Sequence, residues 1–141
     1  MNDILHDIRQ YSEMMTISQL MKFFTKKEVA ITRAMIQNYI RDGLLPCPKN
    51  KRFYTHNHIA ALVMIDRLKT VFDIPTIQKT LVPFMDEEGL PIETYNLLIS
   101  NKNKLISKWL ISSKEVLENE DDGGLLLTMT CAVELKTAVL N

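Results

Sequence analysis

Ile31-Thr32-Arg33-Ala34-Met35-Ile36-Gln37-Asn38-Tyr39-Ile40-Arg41-Asp42-Gly43-Leu44-Leu45-Pro46 is the stretch whose reading decides the fold. Thr32 is a residue type that caps a helix start, and Gly43 stands where a left-handed residue ends one. Between them Met35, Ile36, Tyr39 and Ile40 recur at helical spacing, so a helix turns these four inward. Arg33, Gln37 and Arg41 fall on the opposite face, with Asn38 beside them.

Working outward, Thr16-Ile17-Ser18-Gln19 has the form of a capping box, and Ile17, Leu20, Met21 and Phe24 follow at helical spacing. Two short helices joined by a few residues are the elements of a helix-turn-helix, whose second helix offers polar side chains to the major groove. Any surface helix also shows such a face, and the residues alone leave both readings open. Ile4, Leu5, Ile8, Tyr11 and Met15 predict a further amphipathic helix over 1–15.

Downstream, Leu44-Leu45-Pro46-Cys47-Pro48-Lys49-Asn50-Lys51-Arg52-Phe53-Tyr54 is extended and twice fixed by proline, which suits a small β-wing and excludes a helix. Thr55 then caps a third helix carrying Ile59, Leu62, Val63, Leu68, Val71 and Phe72, the expected core element. Asp73 caps a fourth, with Pro75 in its first turn and Ile74, Ile77 and Leu81 inward. From Pro91 one long or two shorter helices carry Ile92, Tyr95, Leu98, Ile99, Leu105, Ile106, Trp109 and Leu110 as one stripe. The acidic run 118–124 reads as a solvated turn, and a last helix over 125–140 is apolar around much of its girth. That surface needs a cover, supplied either by the preceding helices or by a second copy of the chain.

The 141 residues include 4 Gly and 5 Pro, about half the usual share of roughly 12%. Long regular segments and a mainly α fold follow. Charge sums to zero over the chain but is unevenly spread: residues 1–15 carry −2, residues 16–60 carry 8 bases against 2 acids, and residues 61–141 carry −4. Phosphate binding responds to local charge, because screening limits an exposed charge to about 8–10 Å. A solvated basic face has the same composition.

The longest apolar run, Ile59-Ala60-Ala61-Leu62-Val63-Met64-Ile65, is far below the ~18 residues needed to span a bilayer, and the acid-bearing start lacks a basic signal-peptide region. A cytoplasmic protein with no membrane partner is expected. Cys47 and Cys131 form no Cys-x-x-Cys pair and read as reduced thiols. His56 and His58, two apart on a helix, diverge by about 200° and cannot readily share a metal. No phosphate loop, nucleophile elbow or zinc-protease motif occurs, so neither an enzyme nor a cofactor is expected.

The order helix, turn, helix, Gly43-Leu44-Leu45-Pro46, basic wing with Arg52-Phe53-Tyr54, Thr55 cap and long helix resembles the MerR family of winged-helix transcription regulators, over residues 16–81. More closely, Thr16-Ile17-Ser18-Gln19-Leu20, the stretch 31–46 and Arg52-Phe53-Tyr54-Thr55 resemble a bacterial MerR-related family of small helical proteins of unknown function. The resemblance implies a mainly α, MerR-like winged helix-turn-helix over 16–90; the apolar patterning adds an N-terminal helix over 1–15 and a helical extension over 91–141 as the candidate dimerisation region. The resemblance also implies a DNA-binding transcription regulator acting as a homodimer, with the recognition helix 33–42 in the major groove and the wing 46–54 on the backbone. The DNA-binding residues expected are Arg33, Gln37, Asn38, Arg41, Lys49, Lys51, Arg52 and Tyr54. Gln37 and Asn38 depart from the Arg and Tyr usual there, and both amides can pair with adenine edges. No metal-binding cysteine cluster and no single uninterrupted dimerisation helix is evident in the sequence. The competing reading is a helical protein–protein interaction module on the same scaffold.

Overall fold

The computed structural model describes residues 3–118 and 123–140. In chain order these form β1 (Met14–Met15), α1 (Ile17–Lys26), α2 (Arg33–Arg41), β2 (Tyr54–Thr55), α3 (His56–Leu68), α4 (Ile74–Leu81), α5 (Ile92–Glu118) and α6 (Gly123–Leu140), with short 3₁₀ turns at Ile8–Gln10 and Val82–Phe84. The chain is mainly helical.

Each early helix starts where a side chain satisfies a backbone N–H left free by the first turn. Thr16 Oγ1 accepts from the Gln19 N–H at 3.4 Å, and Gln19 Oε1 accepts from the Thr16 N–H at 2.9 Å, closing the capping box of α1. Thr32 Oγ1 accepts from the Met35 N–H at 3.1 Å to start α2. Asp73 accepts from the Thr76 N–H at 2.9 Å to start α4, and the Thr76 hydroxyl together with that N–H holds its carboxyl below the usual range. After α2 the chain reverses at Gly43, whose φ of +76° lies in the left-handed region that favours glycine. Leu44 and Leu45 then both donate to the Tyr39 carbonyl, at 2.9 and 3.1 Å, and fold back into the core.

That core is centred on α3, where Ile59, Ala60, Ala61, Leu62, Val63 and Ile65 are all buried. Leu20, Phe23 and Phe24 of α1, Ile36 and Tyr39 of α2, Ile77 and Leu81 of α4, and Ile92 and Tyr95 of α5 join the same cluster. Burial on this scale is what holds so small a sheet in place, since each large apolar side chain removed from water contributes about 1.5–3 kcal/mol. Val71, expected inside, is exposed, because α3 ends at Leu68 and Val71 lies in the turn that follows.

The N-terminal segment is not the helix its periodicity predicts. Leu5, Ile8 and Met15 are buried as expected, but the backbone makes only the 3₁₀ turn before Met14–Met15 pairs antiparallel with Tyr54–Thr55. The ladder to β2 satisfies those backbone groups, which leaves no need of a local helix there. Two ion pairs hold the segment: Asp3 with Arg67 at 2.9 Å and Asp7 with Lys27 at 2.6 Å.

Two compact units divide the chain, Met1–Ile99 and Ser100–Asn141. The first runs past the break at Pro91, because Ile92, Tyr95 and Ile99 pack on the core. α5 is one unbroken helix of 27 residues, the first of the two alternatives the sequence leaves open from Pro91. Lacking internal Gly and Pro, it has nothing to interrupt it. In the second unit Gly123 and Gly124, expected in a turn, begin α6, and residues 119–122 of that expected turn lie outside the described residues.

Candidate nucleic-acid interface

α2 is a short helix with two distinct sides. Ile36 and Tyr39 are buried and Met35 and Ile40 half-buried, while Arg33, Gln37, Asn38 and Arg41 are exposed. Neither amide side chain, Gln37 or Asn38, makes a hydrogen bond among the described residues, so both keep their donors and acceptors for a partner. At one end Arg33 Nη2 donates to Ser18 Oγ across to α1 at 3.3 Å. At the other Arg41 Nε lies 3.2 Å from Asp42 Oδ1, an exposed pair that solvent screens.

The expected wing is a tight hairpin. Lys49 and Phe53 exchange backbone hydrogen bonds at 2.7 and 2.9 Å, leaving Asn50, Lys51 and Arg52 as the tip. Asn50 and Lys51 have φ of +52° and +59°, the sign that the favoured two-residue hairpin turns need. The side chains of Lys51 and Arg52 project into solvent, and the Arg52 guanidinium lies 5.3 Å from the Phe53 ring centroid. Lys49, at the base, is 3.1 Å from Glu88 and is partly neutralised.

Tyr54, expected at the backbone of DNA, lies in the core. It is only 7% exposed, with its ring edge-on to His58 at 5.5 Å, and burial raises its phenol pKa. The three-residue tip breaks the strand alternation that would keep Arg52 and Tyr54 on one side, so Arg52 points outward and Tyr54 is part of the core.

Two contacts secure the hairpin to the helical body. The fully buried His58 donates from Nε2 to the Cys47 carbonyl at 3.1 Å, and its Nδ1 accepts from the Thr55 N–H at 3.0 Å. Burial lowers its pKa, in keeping with a neutral ring that has one donor and one acceptor nitrogen. Asn57 clips the segment after α4, donating from Nδ2 to Asp86 at 3.1 Å and accepting the Leu90 N–H on its carbonyl at 3.0 Å. Gly89 permits this approach: its φ is +132°, and a Cβ there would lie 2.4 Å from the Asn57 carbonyl oxygen.

The unit that carries α2 and the hairpin coincides closely with a family match. A family model described as "Domain of unknown function (DUF1836)" matches residues 4–98. The chain belongs to this family. No curated protein and no solved structure matches it. The DUF1836 match ends one residue before the first compact unit does, so the family domain and that unit are nearly the same object.

Within the DUF1836 domain the structure sorts the basic residues that the sequence only counts. Lys27 is committed to Asp7 in a mostly buried pair, while Arg41 and Lys49 stay solvent-accessible beside Asp42 and Glu88. Lys22, Lys26, Arg33, Lys51 and Arg52 are exposed with no acidic partner among the described residues. Lys22 and Lys26 were not among the expected site residues. Their i, i+4 spacing on the polar side of α1 was the signal available.

His56 and His58 serve separate structural ends, His56 donating from Nε2 to the Ser12 carbonyl at 2.9 Å. Among the described residues no group of three His, Cys, Asp or Glu side chains could hold a metal, and no helix is long and apolar enough to cross a membrane. Both cysteines are free thiols, Cys47 exposed and Cys131 half-buried.

Proposed function

We propose that the chain is a DNA-binding transcription regulator with a MerR-like winged helix-turn-helix, α1 and α2 forming the helix pair and the 46–54 hairpin the wing. One observation carries the reading: α2 is anchored by Ile36 and Tyr39 while it leaves Arg33, Gln37, Asn38 and Arg41 exposed, with both amides free of hydrogen bonds among the described residues. A helix held in this way suits the major groove, where Gln and Asn read adenine edges and Arg reads guanine. Lys51 and Arg52 at the hairpin tip suit the phosphate backbone, which needs charge and no sequence information.

Anisotropy titration of labelled bacterial promoter fragments, repeated over a salt series, tests it. Counterion release makes log K fall linearly with log salt. Affinity with such a slope supports the reading. No binding at low salt overturns it and leaves the protein-interaction module.

The reading includes a homodimer. On α5 Leu105, Ile106, Trp109, Leu110 and Ile111, and on α6 Leu126, Leu127, Met129, Val133 and Leu135, are each between 37% and 77% exposed. Large apolar side chains exposed in such number along two helices are the usual mark of an interface. A second copy is the favoured cover, because two-fold pairing also duplicates the recognition helix for two half-sites. Sedimentation equilibrium decides the point: a mass that stays at 16.3 kDa across micromolar concentrations overturns the dimer.

A further inference from the structure

We propose that α1 supplies a second grip on the DNA backbone, with Lys22 and Lys26 contacting phosphates beside the Arg33 end of the α2 face. The inference rests on the DNA-binding reading above and deepens it by naming phosphate contacts outside the recognition helix and the wing.

Lys22 and Lys26 stand one turn apart on α1, so their side chains share a face. Both are exposed and neither has an acidic partner among the described residues. Lys27 is the internal contrast. It lies 2.6 Å from Asp7 with its side chain only 13% exposed, so this cation is committed to the fold.

A shallow concavity of about 550 Å³ has Lys22, Lys26 and Arg33 on its walls, together with Ser18, Met21 and Thr25. The lysines of α1 and the first residue of the α2 face therefore border one continuous surface. The Arg33 contact to Ser18 draws that guanidinium toward α1. On the other flank of α1, Tyr11, Gln19, Lys22 and Lys26 border a second concavity. Neither concavity is lined by a carboxylate. Three cations around an acid-free surface favour a polyanion, and the flexible point charge of lysine suits phosphates spaced along a strand better than the fixed edge of a base.

The test is the double variant Lys22→Gln/Lys26→Gln in the full chain, titrated over a salt series against a selected promoter duplex and a random duplex of equal length. The expected result is a log–log salt slope shallower by about two, with affinity for both duplexes falling by the same factor. Lys22→Arg/Lys26→Arg should restore the slope, because it keeps the charges. Lys79→Gln, at an exposed lysine on α4, removes charge elsewhere and should leave the slope in place. An unchanged slope in the double glutamine variant, while the wild type binds DNA, overturns this inference alone. So does a loss from Lys79→Gln half as large as that from the double glutamine variant, which would reduce the effect to net charge. If the wild type shows no salt-dependent binding, the DNA reading itself falls and takes this inference with it.

Discussion

His58 holds the Cys47 carbonyl at 3.1 Å from inside the core, and through that bond the base of the hairpin is fixed to the first turn of α3. The ring is fully buried, and burial depresses its pKa below the ordinary 6.5. The unfolded chain therefore binds the His58 proton at a higher pH than the folded chain does. Above about pH 6.5 the two states are equally deprotonated; as pH falls below it, the unfolded state gains the proton first and stability is lost until the folded-state pKa is passed. Thermal melts between pH 7.5 and 5 should show a falling midpoint. His58→Gln should flatten that fall while lowering stability at pH 7.5 by about 1–3 kcal/mol, the cost of leaving buried partners without a hydrogen bond. An equal pH response in the variant would remove His58 as its source.

Asp3 joins the N-terminal segment to α3 and α5 at once. It pairs with Arg67 at 2.9 Å and accepts from the Tyr95 hydroxyl at 2.5 Å, 92 positions along the chain. Tyr95 is fully buried, and burial together with this bond raises its phenol pKa. Asp3→Ala and Tyr95→Phe should each destabilise by about 1–2 kcal/mol, and the double variant by clearly less than their sum, because both break one shared bond. Urea denaturation of the four proteins measures the coupling, and strict additivity would refute it.

Gly89→Ala forces a Cβ against the Asn57 carbonyl and a side chain into positive φ. Stability should fall by about 2–3 kcal/mol, from strain together with the loss of the Leu90 to Asn57 hydrogen bond. Urea titration should show an earlier midpoint with an unchanged m-value.

At the hairpin, Arg52→Ala should weaken binding to all duplexes alike and lower the salt slope by roughly one, with Lys51→Ala acting in the same way but less strongly. Lys49→Ala should lower the slope less than Arg52→Ala, since Glu88 already neutralises much of the Lys49 charge. Equal slopes for wild type and Arg52→Ala would exclude the hairpin tip from the interface.

On α2, Gln37→Ala or Asn38→Ala should cost about 1–3 kcal/mol on the preferred site and little on random DNA, because base-edge contacts carry sequence information and phosphate contacts do not. The quantity to compare is the ratio of specific to non-specific affinity. A ratio equal to that of the wild type would mean that this face reads no sequence.

The sequence by itself determined the helices whose ends and faces are written locally. The Thr16–Gln19 capping box, the Thr32 and Asp73 caps, the Gly43 reversal and the burial of Leu20, Ile36, Tyr39, Ile59 and Ile77 were all legible, because a cap or a periodic face acts within one or two turns of its own residues. Tertiary structure alone decided the features that depend on distant partners. Met14–Met15 became a strand because Tyr54–Thr55 offered a ladder. His58 caps the start of α3 through the Thr55 N–H, and became a buried latch as well because the Cys47 carbonyl met it. Tyr54 left the outer surface because the hairpin tip broke the alternation with Arg52. The same holds for charge: the sequence counts eight bases between residues 16 and 60, but only the fold pairs Lys27 and Lys49 with distant acids and leaves Lys22, Lys26, Arg33, Lys51 and Arg52 without an acidic partner among the described residues. A side chain's charge is local to the sequence, whereas the neighbour that cancels it is set by which chain segments the core brings together.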